Sequence, residues 1–252
     1  MHTERRRIGQ QYRQWRHALA ACALYWLAGV AMAQTAAGRI EAQASGVFLN
    51  ADGDVLTARH AVAGCRSLYV VKDSRVVMAT LRAISEEDDV AVLATAIKPF
   101  LSAVLQRAEL PPDRSVAVFA EAYARLQHMP DRARTLSNAI TVPEDGGELQ
   151  LLSGVRPGAS GSAVLGASGL VLGIVVERVA GAPGSPGAAQ VHARNPLKAS
   201  GATLVRAVPV AGIKRFLRAN GIVFAESDAA QLSAQQSPAA RAYTLGAGVI
   251  CG

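Results

Sequence analysis

Gly154-Val155-Arg156-Pro157-Gly158-Ala159-Ser160-Gly161-Ser162-Ala163-Val164 is a tight turn opening onto an apolar run. Glycines on both sides of Ser160 free the backbone for conformations that other residues avoid, leave the hydroxyl exposed and point the amides of Gly158 and Ser160 at one spot. The same letters also fit a plain Gly/Ser hairpin turn. On either side lie short apolar runs separated by turn residues, which is how a sheet-rich chain reads. Downstream, strands are expected at residues 162–165, 171–176 and 204–208; upstream, at 149–152, 133–142 and 115–120.

The first half repeats the pattern. Gly46-Val47-Phe48-Leu49, the turn Ala51-Asp52-Gly53-Asp54 and Val55-Leu56-Thr57 make a hairpin, because Asp-Gly supplies the positive φ angles a tight turn needs. Further strands are expected at 67–71, 76–84 and 90–94. Residues 97–113 hold three prolines and few β-branched side chains, and so read as a connection between halves. Residues 209–220 read as a helix, with Pro209 at its start, Ile213, Phe216 and Leu217 on one face and Asn220-Gly221 to end it. Residues 181–187 form a Gly/Pro/Ser loop, and the segment 226–252, rich in Ala, Gln and Ser, reads as a flexible tail. The expectation is an all-β chain of two packed barrels or sandwiches, residues 34–108 and 109–225, with a helix closing the second.

Two more segments carry chemistry. In Val55-Leu56-Thr57-Ala58-Arg59-His60-Ala61-Val62 an imidazole follows a strand directly; in Glu86-Glu87-Asp88-Asp89-Val90-Ala91-Val92-Leu93 four acids precede one. Four acids in a row ordinarily make a solvated turn, but Asp89, next to the strand, is the one that can be drawn toward an imidazole and hold its tautomer. A hydroxyl, a base, an orienting carboxylate and paired amides are the parts that acyl transfer by serine requires.

The segments VLTARHAV, DDVAVL and PGASGSAVLGASGLVLGIV resemble the three motifs of trypsin-like serine peptidases, and among them the protease domain of bacterial Deg/HtrA-type enzymes, over roughly residues 44–222. AVPVAGIKRFLRANGI is similar to the closing strand and helix of such domains. The resemblance implies two packed six-stranded antiparallel β-barrels, with His60 as general base, Asp89 as its orienter, Ser160 as nucleophile and the amides of Gly158 and Ser160 as oxyanion hole. It also implies a substrate pocket with Leu152, Ser153 and Gly154 near its base and Val175, Val176 and the residues to Arg178 along its wall. No acid stands at that base, so a small or medium apolar residue is the expected cleavage site. The family has Asn or Asp before the serine and a second glycine after it; here Ala159 and Ser162 stand instead. With fewer than forty residues after the helix, no PDZ-like domain is expected.

Residues 1–33 read as a signal peptide: Arg5, Arg6, Arg7, Arg13 and Arg16 precede an apolar run from Ala18 that closes on Ala31-Met32-Ala33. Removing it leaves 21 Lys and Arg against 18 Asp and Glu, so the formal charge falls from +7 to +3 and gives little support for nucleic-acid binding. No later stretch is apolar enough to span a bilayer, and a periplasmic or secreted address is expected. Of the three cysteines, Cys65 and Cys251 would remain, either as one disulfide or as two separate thiols. No metal or cofactor is expected: neither cysteine lies in a CxxC pair, and His128 and His192 have no ligand-like spacing. The expected partner is a protein or peptide substrate; oligomeric state is not legible.

Two other functions fit parts of the pattern. A Gly-x-Ser-x-Gly esterase would use Gly158 to Ser162 with Glu177 and His192, but lacks the alternating strands and helices of that class. A peptidase-like protein with a weak or inactive site would bind peptides without cutting them, and Ala159 and Ser162 speak for it.

Overall fold

Fourteen strands account for most of the regular structure in the computed structural model, which describes residues 42–111, 113–143, 148–179 and 203–252. The expected signal peptide, the 181–187 loop and His192 lie outside the described residues. Strands β1 (Ala44–Phe48), β2 (Asp54–Thr57), β3 (Leu68–Lys72), β4 (Arg75–Ile84) and β5 (Ala91–Thr95) make five staves of a first barrel. Its sixth is the last of the described strands, β14 (Gly246–Cys251), and the barrel closes in the order β1-β14-β3-β4-β5-β2 with every pair antiparallel.

The second barrel contains β7 (Ala117–Phe119), β8 (Ala139–Val142), β9 (Leu149–Ser153), β10 (Ala163–Gly166), β11 (Val171–Val179) and β12 (Thr203–Pro209). Their order is β10-β7-β8-β9-β12-β11, and antiparallel pairing of β10 with β11 closes the ring. Two short strands, β6 (Val104–Gln106) and β13 (Ala225–Ser227), extend the sheet from β11 in parallel. The protein is therefore an all-β molecule of two six-stranded antiparallel barrels, with a short helix, α1 (Tyr123–Gln127), between β7 and β8 and a longer one, α2 (Val210–Ala219), after the second barrel. Among the described residues no helix is long and apolar enough to cross a membrane.

Three apolar clusters explain the burial. Phe48, Val55, Val70, Leu93 and Val249 fill the first barrel, and Val118, Leu151, Val164, Leu172 and Val205 the second. Between them a third cluster gathers Val47, Leu56, Val92, Phe119, Leu165, Ile174, Ile213 and Leu217. Successive strand residues face opposite sides. In β1 one side meets the barrel interior and the other the junction, so the strand is buried throughout. Helix α2 lays Ile213 and Leu217 into that junction, and its buried Lys214 donates to the carbonyls of Gln106 and Arg107 at 3.2 and 2.9 Å and pairs with Glu226 at 3.4 Å.

Three expectations need correction. The connection 97–113 contains β6, because Leu105 is fully buried in the junction and pairs with Val171 and Glu226. The strand expected over 133–142 begins only at Ala139, after a turn in which the amides of Arg134 and Thr135 bond back to the Asp131 carbonyl. The segment 226–252 is no loose tail: it forms β13, then helix α3 (Pro238–Leu245), then β14. Ser237 caps α3, its hydroxyl accepting from the Ala240 amide at 3.1 Å, and Pro238 occupies the first turn, where its missing N–H costs nothing. At the other end the Lys72 ammonium donates to the carbonyls of Tyr243, Thr244 and Gly246 at 2.8, 3.0 and 2.9 Å. A disulfide joins Cys65 to Cys251, with their Cα atoms 5.3 Å apart.

Candidate active site

Strand β2 ends at Thr57, and the extended Ala58 leads into a single 3-10 turn, Arg59–Ala61, that presents the His60 ring to the cleft between the barrels. The turn is tied to the acidic segment before β5. The Arg59 amide donates to the Asp89 carbonyl at 3.2 Å, and its guanidinium donates to the carbonyls of Ser85 and Glu86, each at 3.0 Å. Neighbouring acids then separate by partner. Asp88 faces Arg215 of α2 at 3.5 Å, Glu86 and Glu87 are exposed, and Asp89 turns to the histidine.

Asp89 engages His60 twice. Oδ1 accepts the His60 amide at 2.9 Å, and Oδ2 lies 2.6 Å from ring Nδ1. The other ring nitrogen, Nε2, is 3.0 Å from the Ser160 hydroxyl. A carboxylate on Nδ1 fixes the tautomer whose Nε2 carries the lone pair, which is the form able to take a proton from Ser160. The pair is open to solvent, with the His60 side chain 49 % and the Asp89 side chain 27 % exposed.

Ser160 sits in a loop shaped by two glycines in the left-handed region, Gly158 (φ 89°) and Gly161 (φ 86°). At Gly161 close approach adds a second reason: a β-carbon there would overlap the Ser45 carbonyl oxygen and crowd Thr57 Oγ1. The Gly161 amide donates to the Val175 carbonyl at 2.7 Å, and the Ser162 amide to the Ala159 carbonyl at 2.8 Å. Among the described residues the amides of Gly158 and Ser160 have no acceptor, so both remain able to donate to an anion.

Val175 and Val176 reach this loop through their backbones. Their side chains are buried, Val175 in the second barrel and Val176 in the junction, so any wall they give a substrate is main chain. The Val176 carbonyl lies 3.4 Å from the Ser160 hydroxyl as a second acceptor. Gly154, at the end of β9, faces open space, while Leu152 and Ser153 are buried. Beside Asp89 a polar recess of about 270 Å³ is bordered by Glu87, Asp88, Arg206 and Arg215. Glu177 pairs with Arg206 at 2.8 Å, an arginine rather than an imidazole. No cluster of three or more metal-ligating side chains occurs among the described residues.

One residue of this neighbourhood gave no signal in the sequence. Ser45 of β1 is 1 % exposed; its amide donates to the Ser160 carbonyl at 2.8 Å and its hydroxyl to the Gly158 carbonyl at 2.7 Å. Its partners lie more than a hundred residues away, and a single serine in an apolar strand has no periodicity to mark it. Nearby, Glu121 accepts from the Ala122 amide at 3.0 Å, and burial pushes its carboxyl above the usual range. The hydroxyl of Ser162 is buried without a partner among the described residues.

Among solved structures the chain is similar to the HtrA-type protease AlgW with a decapeptide, at 20% identity and a TM-score of 0.48, over 71% of this chain and 51% of that one. It is also similar to the serine endoprotease from Yersinia pestis, at 17% identity and a TM-score of 0.49, over 73% of this chain and 59% of that one. The chain thus spans little more than half the length of these proteins. No curated protein matches it. The family model described as trypsin-like peptidase domain matches residues 44–174, just over half of the 252 residues and a span holding His60, Asp89 and Ser160; the chain belongs to that family of peptidases.

Proposed function

We propose that the protein is a serine endopeptidase that hydrolyses peptide bonds through an acyl-enzyme. The observation that carries this reading is the continuous chain from Asp89 Oδ2 to His60 Nδ1, 2.6 Å, and from His60 Nε2 to Ser160 Oγ, 3.0 Å. Ser160 Oγ attacks the substrate carbonyl carbon while His60 Nε2 takes its proton, and Asp89 stabilises the imidazolium that forms. Negative charge gathering on the carbonyl oxygen is met by the amides of Gly158 and Ser160. His60 returns the proton to the leaving amine; water, deprotonated by the same imidazole, then releases the acid and restores the hydroxyl. Neither step needs a group other than these side chains, amides and water.

With the base of the substrate pocket taken at Leu152, Ser153 and Gly154, none of which is an acid, a small or medium apolar residue is favoured at the cleavage site. Export to the periplasm or beyond is part of the proposal. It is supported by the basic and apolar sequence of residues 1–33 and by the Cys65–Cys251 disulfide, which an oxidising compartment sustains.

The test is labelling of the purified protein with a fluorophosphonate probe beside Ser160→Ala and His60→Ala variants. The wild type is expected to label and both variants to lose the label. A folded wild type that never labels overturns the enzyme reading in favour of a peptide-binding protein with an unused site.

A further inference from the structure

The loop that carries Ser160 lacks a side chain to brace it from within, since position 159 is alanine, with only a methyl group, buried in the second barrel. What braces it comes from the other barrel. Ser45 lies in β1 with its main chain against Gly161, the glycine whose missing β-carbon allows the approach. Three polar atoms of this one residue are spent around the loop. Its amide donates to the Ser160 carbonyl at 2.8 Å, its hydroxyl donates to the Gly158 carbonyl at 2.7 Å, and its carbonyl accepts from the hydroxyl of Thr57 at 2.7 Å, two residues before the turn that bears His60. The hydroxyl is itself oriented, because it accepts the Tyr123 amide at 2.9 Å and so has its proton left for Gly158.

We infer that Ser45 is a positioning residue for the oxyanion hole, holding the Gly158 and Ser160 carbonyls on the first barrel so that the amides of the same two residues face the substrate. The inference rests on the serine-peptidase reading above. A carbonyl shares a rigid plane with the N–H of the next residue, and the two glycines give the loop freedom to rotate. Anchoring the Gly158 and Ser160 carbonyls therefore fixes the planes on both sides of the Ala159–Ser160 peptide, which carries the Ser160 amide, and holds the Cα of Gly158 about which that residue's own amide turns. The hydroxyl contact matters beyond the amide contact because the amide is main chain that any residue offers, whereas only the side chain reaches Gly158. Misplacing a catalytic donor by about an ångström costs on the order of a hundredfold in rate.

The measurement is the rate of fluorophosphonate labelling as a function of probe concentration for the full chain and for Ser45→Ala. The expected result is a saturating rate lower by about 10- to 100-fold, because phosphonylation also develops charge on the oxygen in the oxyanion hole, with the half-saturating concentration within about twofold of wild type. A residue that only stabilised the fold would leave the saturating rate of the folded fraction alone. Ser45→Thr keeps the hydroxyl and has a small cavity bordered by Ser45, Tyr123, Ser162 and Ala163 to take its methyl, so it is expected to recover most of the rate. Should Ser45→Ala not fold, Ser45→Cys fills the same space with a much weaker donor and carries the same expectation. Wild-type labelling by a folded Ala or Cys variant overturns the role of Ser45 and leaves the enzyme reading standing. Failure of the wild type itself to label brings down both, and the two failures are told apart by which protein is silent.

Discussion

His60 and Asp89 are joined at two points: the carboxylate takes the histidine's backbone amide on one oxygen and its ring Nδ1 on the other, at 2.9 and 2.6 Å. One acid thus fixes both where the imidazole stands and how it is turned. Asp89→Asn keeps an oxygen for the amide but presents no charge to the ring. The expected outcome is a fall of about 10³- to 10⁴-fold in kcat on a peptide substrate with an unchanged melting temperature, read by steady-state kinetics and thermal denaturation.

Gly161 is fixed by strain and by space together. In Gly161→Ala the new methyl group meets the Ser45 carbonyl at a φ of 86°, so β1 and the Ser160 loop must part. Fluorophosphonate labelling is expected to disappear, and stability to drop by about 2–4 kcal/mol in denaturant unfolding. Wild-type labelling would show that the loop has room the packing denies it.

The Cys65–Cys251 bridge closes a loop of 186 residues in sequence separation. Restricting so long a loop in the unfolded chain stabilises the native state by about 3–5 kcal/mol. Cys65→Ser with Cys251→Ser, or reduction of the wild type, is expected to lower the melting temperature by roughly 10 °C. Equal melting with and without reductant would contradict it.

Glu121 gives a pH-dependent test. Burial raises its carboxyl above the ordinary value of 4.5, so the folded state binds this proton more tightly than the unfolded chain. Its ionisation therefore costs no stability below about pH 4 and an increasing amount as pH rises through the folded value. Glu121→Gln keeps an oxygen for the Ala122 amide without the charge. The variant is expected to melt about 1–3 °C above wild type at pH 7 and at the same temperature near pH 4. A difference of the same size at both pH values would assign the effect to packing.

Much of the strand pattern could be read from the chain because local chemistry wrote it there. Asp52-Gly53 forced a hairpin, and Pro209 with Asn220-Gly221 bounded α2. The serine loop was legible because its glycines answer a local conformational need. Contacts supplied from far away were not. Ser45 acts on residues 113 and 115 positions later, and β6 is a strand only because β11 and β13 flank it. The end of the chain misled for a compositional reason. Ala, Gln and Ser suggest a solvated segment, and the small residues Gly246, Ala247 and Gly248 look like a linker, whereas they are small because Tyr123 packs against two of them. Ser237-Pro238 was the available signal, a helix cap and first turn hidden in a polar stretch.

Placing the sixth stave of the first barrel at residues 246–251 also sets an order of events. A ribosome delivers β1 to β5 early, and they must wait, with β1 and β3 unpaired along the edges that β14 later fills, until the 150 residues between β5 and β14 have been made. His60 and Asp89 hang on that unfinished barrel, and Ser45 belongs to one of its waiting edges. On the proposed reading, His60, Asp89 and Ser45 come into their final places against the Ser160 loop only once β14 has closed the first barrel.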